Sequence, residues 1–373
     1  MIFAVFFSVI TIAYIGFTIF LLINWERTKY FHLTSTTSYE FISIIASVRN
    51  EEENIENLLK CLNAQTYPKN KFEVIVANDS STDNTPLLVN RFATNADIAI
   101  RLLNIEANGK KKAIEAAIKE SKGNLIVTID GDCIAGTEWI SIINAYYQKH
   151  KPKMICGGVT FYDEHTLFEK MQTIEFASLT GSGAACLKAG FPNMCNGANL
   201  VYEKQAFYQV NGFTGNEAIA SGDDEFLMHK IAEQFPGQVQ FLKSKEAIVY
   251  TKPRKNIKDF ISQRTRWASK WKHYQFKSIK LLAFFIFFYN SLLILTFALS
   301  ILGYYSWHIW LIQVVFKALT EYLFLGRILT FFGKGINIFI FIITALVYPF
   351  YVVLSGLVSR RRNYQWKGRS IKT

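Results

Sequence analysis

Leu125-Ile126-Val127-Thr128-Ile129-Asp130-Gly131-Asp132 is a short apolar run that ends abruptly in two carboxylates one residue apart. The run is β-branched and unbroken, which predicts a strand buried on both faces of a parallel sheet. Such strands deliver polar groups to the crevice at their carboxyl ends, where open α/β sheets bind ligands. Gly131 lets the chain turn there and lets a ligand approach the backbone closely. Two carboxylates at one strand end repel each other unless a cation sits between or beside them. Asp-X-Asp alone reads equally well as a strand followed by an acidic turn, so the flanking sequence must decide.

Upstream of this run, strand and helix alternate. Phe41 to Val48 reads as a first strand and runs into the polar helix start Arg49-Asn50-Glu51-Glu52-Glu53-Asn54. Ile55, Leu58, Leu59 and Leu62 then recur at helical spacing. Phe72 to Ala77 is a second strand, ending in the turn and cap residues Asn78 to Thr85, and Ile98 to Ile105 is a third. Asn108-Gly109-Lys110-Lys111-Lys112 opens a helix that carries Ala113, Ile114, Ala117 and Ile118. Lys110 can meet a phosphate at that helix amino terminus, whereas Lys111 and Lys112 read as solvated charges. The alternation implies an α/β fold, a parallel sheet with helices on both faces.

Beyond Met154 the pattern loosens. Ser178 to Gly190, rich in Gly, Ala and Ser, suits a flexible or close-packed loop. Cys195-Asn196-Gly197-Ala198-Asn199-Leu200 leads into a short strand, and Ser221-Gly222-Asp223-Asp224-Glu225 precedes Phe226, Leu227 and Met228 on a helix. The five cysteines are widely spaced and form no Cys-X-X-Cys, which favours reduced thiols over a disulfide or zinc framework.

Half of the 373 residues are hydrophobic, 32 are Phe, and the net charge is +12. That charge is concentrated: Lys243 to Lys280 holds twelve Lys/Arg against Glu246 and Asp259, and Ser359 to Thr373 holds six Lys/Arg and no acid. Both basic stretches flank long apolar runs, a pattern that fits an anionic membrane face rather than nucleic acid. Met1 to Asn24 carries no charged side chain, can span a bilayer, and lacks the basic start of a signal peptide, so it reads as an uncleaved anchor. Trp25, Arg27, Lys29 and Tyr30 follow as interface and positive-inside signals, which puts the next domain in the cytoplasm. Asn256 to Lys280 has the composition of a helix lying on a membrane surface. Leu281 to Phe316 and Ile336 to Val358 are apolar, and Arg360, Arg361 and Arg362 read as a cytoplasmic stop. Two crossings are favoured over three, because a third near Trp307 to Arg327 would put the basic tail outside.

Five motifs in order across roughly residues 41 to 267 resemble those of inverting family 2 glycosyltransferases of the GT-A fold. They are Asp79 in Asn-Asp-Ser-Ser-Thr-Asp, Gly109-Lys110 before a helix, Asp130-Gly131-Asp132, Gly222-Asp223-Asp224, and Gln263-Arg264-Thr265-Arg266-Trp267. The last fits the Gln-X-X-Arg-Trp signature of membrane-bound members, and the layout looks like ceramide glucosyltransferases and bacterial glycolipid or polysaccharide synthases. Where the family usually has Thr-Glu-Asp, this chain has Gly-Asp-Asp, as hyaluronan-synthase-like members do.

The resemblance implies a Rossmann-like GT-A catalytic domain over 25–255, an anchor over 1–24, an interfacial helix over 256–280, a transmembrane region over 281–358 and a basic cytoplasmic tail over 359–373. It implies a nucleotide diphosphate sugar as donor, with a UDP-sugar foremost, and a membrane lipid or glycan as acceptor. Asp224 matches the base that takes the proton of the attacking hydroxyl. Asp132 and Asp130 match the metal ligands, and their oxygen chemistry suits Mg2+ or Mn2+. Asp79, Lys110, Asp130, Gln263, Arg266 and Trp267 match substrate-binding positions. Asp79 would meet the base or ribose, Arg266 the diphosphate and Trp267 the acceptor. A processive polysaccharide synthase and a non-catalytic sugar- or lipid-binding membrane protein are the rival readings. The implied location is the plasma membrane or bacterial inner membrane, with several crossings.

Overall fold

The computed structural model describes residues 2–33, 38–106, 109–216, 219, 221–270, 274, 276–358, 363–366 and 369–372. Asn108 and the stop Arg360 to Arg362 lie outside the described residues. The chain begins with α1 (Ile2–Arg27), β1 (Ile42–Val48), α2 (Ile55–Asn63), β2 (Phe72–Asn78), α3 (Thr85–Ala93), β3 (Ala99–Asn104), α4 (Lys110–Glu120) and β4 (Leu125–Asp130). There follow β5 (Ile134–Ala135), α5 (Trp139–His150), β6 (Met154–Gly157), β7 (Val159–Phe161), α6 (Leu167–Lys188), β8 (Leu200–Glu203), α7 (Lys204–Gln209) and α8 (Asp223–Gln234). The last part comprises β9 (Val239–Leu242), β10 (Val249–Thr251), α9 (Ile257–Ala268), α10 (Lys277–Ile301), α11 (Trp307–Phe331), α12 (Ile338–Val358), β11 (Asn363–Trp366) and β12 (Arg369–Lys372).

The main sheet has seven strands in the order β3-β2-β1-β4-β8-β6-β9. Its first four strands are parallel, as the alternation predicts. The sheet as a whole is mixed, because β8 runs antiparallel to both β4 and β6. Strand order reverses at β1, whose neighbours are β2 and β4, so the crevice opens beyond the carboxyl ends of these strands. There Ser47 pairs with Asp130 and Val48 with Asn78. A small sheet of order β5-β10-β7 lies beside this edge.

Residues Ser178 to Gly190 are a correction to the sequence reading, because α6 is helical through Lys188. Thr166 and Glu169 form a capping box at its start. Glycine admits close approach: a Cβ on Gly181 would lie 1.9 Å from Ile328 Cδ1 of α11. The 256–280 segment is not one helix either. α9 stops at Ala268 and α10 starts at Lys277. Trp25 is buried rather than interfacial, with its indole against Phe331 and Phe241 and the Lys243 ammonium 4.1 Å from its ring. This packing fastens the end of α1 to the α/β domain.

Among the described residues, four helices are long and apolar enough to cross a membrane: Phe3–Arg27, Lys277–Ile301, Trp307–Phe331 and Ile338–Val358. Many of their large apolar side chains are exposed, as lipid contact requires. Several polar groups between them are paired: Lys317 and Tyr14 both bond Glu321, and Gln313 donates to Ser8 Oγ.

Candidate functional site

The crevice holds a cavity of about 370 Å³ lined by residues from both the α/β domain and the apolar helices. Of the expected site residues, Lys110, Asp130, Asp132, Asp224, Gln263, Arg266 and Trp267 all line it. Asp79 does not. It is buried, and its carboxylate accepts from the Gly109 amide at 3.1 Å, which shapes the turn ahead of Lys110. Asp83 accepts from the Thr85 amide at 3.1 Å, whereas Asn84 is the N-cap residue of α3.

Gly131 is needed for packing within the chain. A Cβ there would meet Glu51 Cγ at 2.8 Å and Val48 Cγ1 at 2.9 Å. Asp130 and Asp132 remain partly exposed at the end of β4. The Lys110 ammonium lies 2.7 Å from Asp130 and 3.4 Å from Asp223 of α8. Burial would lower the pKa of Lys110, but Asp130, Asp223 and Asp224 outweigh it, so the group is held charged well above its ordinary range. Arg254 lies 4.0 Å from Asp132. Lys111, read as a solvated charge, is buried instead, with its ammonium on the carbonyls of Asn216 and Ile219, upstream of α8. Its long stem reaches across to these two carbonyls, of which that of Asn216 also accepts from the Ile219 amide.

α8 opens at Gly222, whose φ of +82° favours glycine. Asp224 Oδ2 accepts from the Gly197 amide at 3.0 Å, and Oδ1 accepts from the Glu225 amide at 2.8 Å. Burial raises the pKa of Asp224, but Lys270, Lys110 and these two amides overcome it, and the carboxyl is held below the usual range. Glu225 is pushed the other way, chiefly by burial and despite Lys270. Its carboxylate takes the Tyr274 hydroxyl and the Lys270 ammonium.

Gln263, Arg266 and Trp267 face the cavity from α9. The neighbouring Arg264 is buried against Glu175 of α6, and its guanidinium lies 4.2 Å from the Trp267 ring. Tyr351 of α12 donates to the other Glu175 oxygen at 3.1 Å. Tyr351 and Ser355 bring α12 into the cavity wall. Sequence reasoning missed Lys270, Tyr274, Glu175 and Tyr351, since each depends on tertiary contacts and no local pattern marks them.

No group of three or more His, Cys, Asp or Glu occurs together as a metal cage among the described residues. The two strand-end carboxylates are an all-oxygen, incomplete donor set. That chemistry fits a hard divalent cation completing its shell with phosphate oxygens and water.

Residues 43–210 match the family described as Glycosyl transferase family 2. The chain is 36% identical over 105 residues to "Glycosyltransferase AglE" of Haloferax volcanii, covering 28% of this chain and 34% of that one. It is 29% identical over 219 residues to "Poly-beta-1,6-N-acetyl-D-glucosamine synthase" of Staphylococcus aureus, covering 52% of this chain and 50% of that one. The chain thus spans half or less of the length of these curated relatives. Its structure is similar to that of "Mannosyltransferase PcManGT from Pyrobaculum calidifontis in complex with GDP-Man and Mn2+", with a TM-score of 0.59 at 16% identity over 96% of this chain and 97% of that one. At that identity the likeness is one of fold, the GT-A arrangement with associated helices.

Proposed function

We propose that the protein, whose residues 43–210 match the family described as Glycosyl transferase family 2, transfers a sugar from a nucleotide diphosphate sugar to a hydroxyl of a membrane-associated acceptor. The observation that carries this reading is the shared cavity. Asp130, Asp132, Lys110 and Asp224 face the Gln263–Trp267 segment across it, and α12, an apolar helix, contributes Tyr351 and Ser355. A lipid or lipid-linked acceptor can approach from that wall.

Asp224 takes the proton of the attacking hydroxyl, a role its ionised state suits. The hydroxyl attacks the anomeric carbon from the face opposite the diphosphate, so the configuration inverts and no covalent intermediate forms. Arg266 and Lys110 neutralise the departing diphosphate. Lys110 exchanges its ion pairs with Asp130 and Asp223 for phosphate as the donor enters. Asp79 supports the nucleoside end through the Gly109 turn. Gln263 and Trp267 wall the acceptor. Asp132 and Asp130 hold Mg2+ or Mn2+, which when bound supplies counter-charge to the diphosphate. The mannosyltransferase of similar fold, solved in complex with GDP-Man and Mn2+, supports a nucleotide sugar and a divalent cation. A UDP-sugar is the donor to test first. The α/β domain lies on the cytoplasmic side of the plasma or inner membrane.

The relative named for poly-beta-1,6-N-acetyl-D-glucosamine synthesis supports a second reading, processive polymer synthesis. Both are tested by incubating membranes that contain the protein with labelled nucleotide sugars, then extracting lipid and polymer separately. Label in the lipid fraction, abolished by chelator and restored by Mg2+ or Mn2+, is expected. Label in long polymer favours the second reading. Donor binding without any transfer overturns both in favour of a non-catalytic binding protein.

A further inference from the structure

One buried cation joins the helix that carries the base to the segment that follows Gln263–Trp267. Lys270 lies two residues past α9 and is only 5% exposed. Its ammonium is 3.1 Å from Glu225 and 3.8 Å from Asp224. Tyr274, four residues on, donates its hydroxyl to the other oxygen of Glu225. Its ring lies edge-on to both Phe226 and His229 of α8. The start of α8 is shaped around this lysine, since a Cβ on Gly222 would lie 2.9 Å from Lys270 Cδ. Lys110 also acts on Asp224, but its ammonium is paired with Asp130 and Asp223.

We propose that Lys270 is a positioning residue for Asp224, anchored by Glu225 and Tyr274. This rests on the reading of Asp224 as the base. The groups that face Asp224 sort cleanly. Lys270 comes from the segment after α9, Lys110 from α4, and Asp223 and Glu225 from α8 itself. Cys195 from the loop before β8 is driven well above its usual pKa by burial and stays neutral. His229, one turn along α8, is pulled down by burial to about 4 and is also neutral near pH 7. Tyr274 is raised by burial and stays protonated. Lys270 places a buried positive charge 3.8 Å from the base.

The test is the pH dependence of kcat for Lys270→Met and Lys270→Arg in the full-length protein, with donor affinity measured alongside. Removing an opposite charge at this range should move the acid limb of Lys270→Met to higher pH by about 1–3 units. Lys270→Arg should restore the limb, and donor affinity should hardly change in either. An unmoved limb in folded Lys270→Met overturns the proposal. A loss of donor affinity with an unmoved limb assigns Lys270 to the diphosphate instead. Tyr274→Phe keeps the ring packing and both charges, so it serves if Lys270→Met does not fold. Its kcat should fall several-fold at constant donor affinity, and an unchanged kcat counts against the anchor. Asp224→Asn separates the two ideas: if it stays active, the base assignment fails, whereas an inactive Asp224→Asn beside an unmoved Lys270→Met limb removes only the role of Lys270.

Discussion

Asp224 is surrounded in a way that a carboxylate base at neutral pH requires. Burial alone would raise its pKa, and Lys270, Lys110 and two backbone amides reverse that. Its folded pKa is therefore depressed, so the ionised form persists above that value and is lost only as pH falls through it. Activity should decline on the acid side below the ordinary carboxylate range. Asp224→Asn preserves size but cannot take a proton. Its turnover should drop by about 10²–10⁴-fold at little change in donor affinity, measured as initial rate at saturating donor and as donor binding with metal present. Asp132→Asn should weaken donor binding as well. A near-parental rate for Asp224→Asn would move the base to Asp223 or Glu225. At this scale the strand-end acids and the Gly-Asp-Asp run were legible because strand termination and turn chemistry are local. The fate of Lys111 was not, because a lysine on a helix start reads as solvated until the carbonyls of Asn216 and Ile219 are known to lie within its reach.

At the scale of elements, α6 was the helix most poorly read. Its residues pack against α1, α11 and α12 and against the cavity, so no polar face interrupts the run of small side chains and helical periodicity disappears. The one local signal was Thr166 with Glu169, a capping box. α6 matters because Glu175 receives Arg264 from α9 and Tyr351 from α12, which pins the motif helix to both partners. Removing one member of a buried ion pair strands the other. Arg264→Met should therefore destabilise by about 3–5 kcal/mol, seen as a lower melting temperature in detergent. Adding Glu175→Gln should recover part of the loss, since the amide carbonyl can still accept from Tyr351. A melting temperature unchanged in Arg264→Met would mean that the pair contributes nothing to holding α9.

For the whole molecule, the question is how the apolar helices relate to the membrane. The end of α11 is tied to the α/β domain by Lys334 on Glu164 and by Phe331 against Trp25. α12 starts beside it with Phe341 on Tyr322 of α11, and its second half returns to the motif helix and the cavity: Tyr351 packs on Phe260 of α9, and Ser355 lines the cavity. β11, beyond α12, lies beside α9. A helix that carried the chain across a bilayer away from the domain could not make these contacts at its far end. The basic tail should therefore lie on the same side as the α/β domain. Single cysteines placed in the tail and in the α/β domain, labelled in sealed vesicles, should be protected or exposed together. Opposite labelling would make α12 a full crossing. The sequence by itself determined the four parallel strands, the acids at their ends and the motif order, because hydrophobic periodicity and strand termination are set by neighbours in the chain; it favoured two apolar crossings in the carboxyl half, where the structure has three helices long and apolar enough, Trp307–Phe331 among them. Only the tertiary structure decided that β8 runs antiparallel, that α6 is a buried helix, that Lys270 meets Asp224, and that α12 walls the cavity. Those facts depend on which surfaces meet across hundreds of residues, and side-chain identity alone does not encode that in any local pattern.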